Sequence, residues 1–147
     1  MITEDYVSFE VAKLLKEKGF DEICFTWYTG KGEFEQGENN FDDYFQNHHS
    51  KLSLIDTEKC SAPTLQRACK WLREVHNIYI AVNLFYPGKY IHYTPLYYVG
   101  IFNTLTVDDL IKEGCPLVTD SSLSPREYTT PEEAYEEAIK YCLENLI

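Results

Sequence analysis

The alternation of apolar and polar positions divides the chain into helical and extended stretches that together predict an α+β fold. Val11, Ala12, Leu14 and Leu15 recur at helical spacing after Ser8, a residue type that caps helices, and Gly19 stands where a left-handed residue ends one. Phe20 is then placed to fold back onto Leu15. Residues 23–28 are rich in β-formers, and Gly30-Lys31-Gly32 separates them from 33–36, which reads as a hairpin. A second helix is expected from Ser61 as cap, with Pro63 in its first turn, to about Val75. Leu65, Ala68, Cys69, Leu72 and Val75 would face the core. In the last helix Thr130 caps, Pro131 takes the first position and Glu133 completes a capping box; Ala134, Tyr135, Ala138, Ile139, Cys142 and Leu146 make the buried stripe. A short helix over 107–113 and a short strand near Leu117 and Val118 complete the elements.

After Asn77, which can close the second helix, Ile78, Ile80, Val82 and Leu84 alternate with Tyr79, Ala81, Asn83 and Phe85, the pattern of a half-buried strand. A two-residue turn centred on Pro87-Gly88 would set Phe85 opposite Tyr90, Asn83 opposite His92 and Leu84 opposite Ile91. Proline followed by glycine favours a type II turn, which suits two-residue hairpins poorly, so a longer loop and an offset register stay open. Pro95 removes a ladder donor and implies an edge or bulge before 96–102 continues the sheet. The face turned away from the aliphatics would display Tyr79, Asn83, Phe85, Tyr90, His92 and Tyr98, the candidate binding residues. Tyrosine suits recognition because its ring buries large area while its hydroxyl tolerates water. The same face could instead pack under residues 37–59, whose Phe41, Tyr44 and Phe45 need a buried place, or form the wall of an active site.

These elements predict a mainly antiparallel sheet of about four strands with three main helices packed on one face. The chain reads as one α+β domain spanning 1–147, with a long polar and aromatic excursion at 37–59. Its 147 residues, 44% of them hydrophobic, suffice for one sizeable core.

Charge narrows the partners. Thirteen Lys and Arg against 24 Asp and Glu leave a formal charge of -11, which disfavours nucleic acid by direct phosphate binding and disfavours anionic membranes. Lys13, Lys16 and Lys18, and then Arg67, Lys70 and Arg73, read as solvated helix faces. Residues 1–10 lack the apolar run of a secretory signal, no long apolar stretch offers a membrane span, and five scattered cysteines fit a reducing cytoplasm.

The segment from Ser61 through Trp71-Leu72-Arg73 to Ile80 resembles small uncharacterised proteins of gut Bacteroides-type bacteria and their phages or mobile elements. The two ends, 8–20 and 128–146, are similar too, so the likeness covers about half the chain. It implies a phage-related origin and carries no catalytic residue, since the matching positions are helix caps and core stripes.

Candidate chemistry is sparse. Gly30-Lys31-Gly32 lacks the spacing of a phosphate-binding loop. Cys60 and Cys69 are too widely spaced for a zinc site, Cys69 and Cys142 fall in apolar stripes, and His76 sits where a charged imidazole would meet terminal helix carbonyls. No catalytic residue, metal or cofactor is expected. The preferred expectation is a non-catalytic accessory or protein-binding module that engages a protein partner or self-associates. The competing one is a small hydrolase-like or metal-dependent enzyme in which Asp42, Asp43, His48 and His49 meet His92. An acidic mimic of nucleic acid is a third reading, permitted by the charge.

Overall fold

The computed structural model describes residues 3–38, 43–49, 54–85, 96–103 and 128–147. Among them are three helices and five strands, an α+β composition in which every strand pairing is antiparallel. The strands form two small sheets instead of the single sheet of about four that the pattern suggested. Two-residue alternation marks a strand without choosing its partner, and here the partners are distributed between two compact units. One comprises residues 1–68 with Ile147, the other residues 69–146. The expected helix at 107–113 and the strand near Leu117 lie outside the described residues.

In the first unit, α1 (Phe9–Glu17) starts at Ser8, whose hydroxyl accepts from the Val11 amide, and buries Val11, Ala12 and Leu15. Leu14, read as part of that stripe, is only half-buried. Gly19 adopts φ +91°; its N–H donates to Lys16 O at 3.2 Å, and the Phe20 N–H donates to Leu15 O at 2.8 Å. That pair of bonds is a Schellman termination, and the Phe20 and Leu15 side chains are fully buried as it requires. Strands β1 (Thr26–Tyr28) and β2 (Phe34–Gln36) form the expected hairpin, its turn closed by Thr29 N to Glu33 O at 2.9 Å with Gly32 at φ +83°.

A third strand, β3 (Cys60–Ser61), pairs with the other edge of β1 and packs against α1. This corrects the start of the second helix, because Ser61 belongs to the sheet and is fully buried. Helix α2 (Leu65–His76) is capped by Thr64, whose hydroxyl accepts from Arg67 N at 3.3 Å; the Pro63 carbonyl accepts from Val7 N. The described part of the 37–59 excursion is tied down by Phe45, fully buried and bridged to Cys24, with its ring 6.1 Å from Trp27. Asn47 adds a polar tie. Its side chain donates to Phe20 O at 2.6 Å and accepts from Ser61 N at 2.8 Å, so a buried amide is satisfied at both ends.

In the second unit, Trp71 and Leu72 are buried whereas Val75, expected in the core, is 56% exposed. The buried seam continues from Leu72 by four residues to His76, whose ring meets Trp71 edge-on at 4.6 Å. Asn77 closes the helix at φ +57°, as its small polar side chain allows. Strands β4 (Ile78–Phe85) and β5 (Leu96–Asn103) then pair, and α3 (Pro131–Asn145) packs across both. The α3 cap is Thr130, accepting from Glu133 N, with Pro131 opening the helix. The Glu133 carboxylate accepts from the Thr129 hydroxyl at 2.9 Å, so the far half of the expected capping box uses that side chain. The buried stripe is Ala134, Ala138, Ile139, Cys142 and Leu143; Tyr135 and Leu146 are half-buried, Leu146 being already the C-cap.

Candidate functional site

The β4–β5 ladder decides what the tyrosine face contains. Its register sets Phe85 against Leu96, Leu84 against Tyr97 and Asn83 against Tyr98. The pairing of Asn83 with His92, Leu84 with Ile91 and Phe85 with Tyr90 is thereby overturned. Proline followed by glycine favours a type II turn, whose twist suits a two-residue hairpin poorly, and the offset register of the ladder agrees with that preference. Tyr90 and His92, both candidate binding residues, lie outside the described residues.

Residues directly opposite in an antiparallel ladder share a face. Three cross-strand rows therefore occupy the candidate face: Tyr79 with Phe102, Ala81 with Gly100, and Asn83 with Tyr98, followed by the Phe85 and Leu96 positions. Tyr79 is 43% exposed, Tyr98 48%, and Asn83 is exposed as well. On the opposite face Ile78, Ile80, Val99 and Ile101 are buried. Burial fades toward the far end, where Val82 is half-buried and Leu84 is 54% exposed, so the aliphatic sorting holds for the first half of β4 only.

The middle row is small. Ala81 is half-buried and Gly100 buried between an aromatic row on one side and the Asn83–Tyr98 row on the other. With about 3.4 Å per residue, the two flanking rows stand roughly 14 Å apart. Among the described residues the result is an uncharged saddle whose rim offers three aromatic rings, two phenolic hydroxyls and one carboxamide. Such a surface can take up apolar area and hydrogen-bond at its edge. Phe102 was not among the residues singled out from the sequence, although stepping by two from Tyr98 through Gly100 reaches it.

The other candidate chemistry is dispersed. His48 and His49 meet Asp21: the His48 N–H donates to Asp21 Oδ1 at 2.7 Å, and His49 Nδ1 pairs with Asp21 Oδ2. Asp43 is half-buried in the same unit, and Asp42 and His92 lie outside the described residues. Burial pushes the thiols of Cys24 and Cys60 up to about 11, and those of Cys69 and Cys142 up to about 12, which disfavours the nucleophilic thiolate. His76 departs from the charged helix-end role: desolvation lowers its pKa, and its buried Nε2 has no hydrogen-bond partner among the described residues. No group of three metal-ligating side chains occurs among the described residues, and no described helix is long and apolar enough to cross a membrane.

Comparison of the chain with protein-family models, with curated proteins and with solved structures gives no significant match.

Proposed function

We propose that the chain is a non-catalytic protein-binding module whose contact surface is the saddle on β4 and β5. The observation that carries the reading is the placement of exposed Tyr79 and Tyr98 on either side of the small Ala81–Gly100 row, with buried aliphatics on the reverse of the same strands. Tyrosine rings lose little conformational entropy on contact, and the uncharged saddle lets an acidic chain meet a protein surface without burying an unpaired carboxylate. An accessory role in a phage or mobile element accords with this reading and rests on sequence resemblance alone.

Self-association is the occupant to test first, by light scattering across a concentration series with Tyr79 and Tyr98 both changed to serine. A concentration-dependent mass increase in the parent chain that disappears in the folded double variant supports the reading. Identical masses for the two chains, together with identical affinity for every protein the parent binds, would overturn it.

A further inference from the structure

The first unit carries a depression of about 340 Å³ at one end of its three-stranded sheet, separate in sequence from the β4–β5 saddle. Thr26 and Pro63 line it as buried residues, and the Thr26 hydroxyl already donates to Ala62 O at 2.7 Å. The segments around it are tied together by backbone pairing. Thr26 lies opposite Gln36, Tyr6 bridges to Thr64, and Leu65 N donates to Asp5 O at 2.9 Å. Three further side chains on its lining have capacity to spare. Phe25 is 55% exposed; Arg67 has its nearest carboxylate, Glu22, at 4.0 Å, the limit of an ion pair; and Glu4 accepts a long 3.4 Å bond from the Tyr6 hydroxyl.

We propose that this depression binds a small zwitterion of the α-amino-acid class, with its carboxylate on Arg67, its ammonium on Glu4 and an apolar side chain against Phe25. A ligand of single charge would meet one attractive and one repulsive group here, whereas a zwitterion satisfies both. The guanidinium fork matches a carboxylate, and an exposed ring beside it offers apolar area. The volume lies near the lower end of small-molecule pockets, roughly 300–1,000 Å³, which suits a ligand of this size. The field of Arg67 reaches the lining, since it opposes the upward push that burial exerts on the Cys24 thiol.

The test is an amide NMR titration of the full chain with L-phenylalanine, with phenylalanine amide and with 3-phenylpropanoate. Saturable shifts at Cys24, Phe25, Gln36 and Thr64 are expected for L-phenylalanine. Arg67→Gln and Glu4→Gln, both at exposed positions and checked for retained spectral dispersion, should each weaken binding about tenfold or more, as should loss of either charge from the ligand. Absence of saturation at about 10 mM, tenfold above a millimolar Kd, would overturn the proposal. So would binding that both variants leave unchanged, or equal binding of 3-phenylpropanoate.

Discussion

Asn83 lies directly opposite Tyr98 on the exposed face of the β4–β5 ladder, in the place that a two-residue turn would have assigned to His92. The displacement from 92 to 98 is an even number of residues. Side chains alternate with a period of two, so the register moved without transferring Tyr98 to the buried face. Sorting of faces thus survived an incorrect pairing of strands.

The two faces should respond differently to substitution. Tyr98→Ser is expected to change stability by less than about 0.5 kcal/mol, as surface changes do. Ile101→Ala, at a fully buried position on the other face, should cost about 2–5 kcal/mol. Urea denaturation of the two variants reads both values, and comparable losses would show that Tyr98 is covered.

Thr64 and Ser61 offer a second contrast. Thr64→Ala should cost about 1 kcal/mol by removing the α2 cap. Ser61→Ala should fall within about 0.5 kcal/mol of the parent, because the buried Ser61 hydroxyl has no better neighbour than the weakly bonding Cys24 thiol. Reversed magnitudes in thermal or urea unfolding would move the helix start back to Ser61.

His76 predicts a pH dependence of known sign. Its pKa in the folded chain lies below the ordinary 6.5, so beneath that pH the unfolded chain binds more protons than the folded one. The contribution is whole above 6.5 and is lost as pH falls toward the folded value. Urea midpoints measured between about pH 7.5 and 5 should therefore fall less in His76→Gln than in the parent. Parallel profiles would exclude the effect.

The four described cysteines should resist alkylation in the folded chain. At pH 8 iodoacetamide followed by peptide mapping should leave Cys24, Cys60, Cys69 and Cys142 unmodified and label them all in denaturant, since their raised pKa values keep the sulfur protonated. Rapid native labelling at any of these sites would mark a reactive thiol there.

Local chemistry was legible wherever one short segment contains its own answer. Ser8 and Thr130 cap their helices, Gly19 and Asn77 end theirs at positive φ, and Ile80, Val99 and Ile101 are buried as alternation requires. Each of these depends on φ/ψ preference or on a side-chain period, which neighbouring residues set by themselves. Ser61 lies in β3 and not at the helix start because a serine before Ala-Pro satisfies a helix cap and a strand equally well, and only pairing with Trp27, far away in sequence, decides between them.

The sequence by itself determined the α+β class, the caps at Ser8 and Thr130, the helix ends at Gly19 and Asn77, and the shared face of Tyr79 and Tyr98. Only tertiary structure decided that the strands divide into two sheets, that Asn47 joins Phe20 to Ser61, and that Glu4, Phe25 and Arg67 line one depression. The physical reason is range. Caps and periods act over one or two turns of chain, whereas strand partners, buried polar ties and pockets arise where distant segments close on one another, and no local pattern encodes which segments those will be.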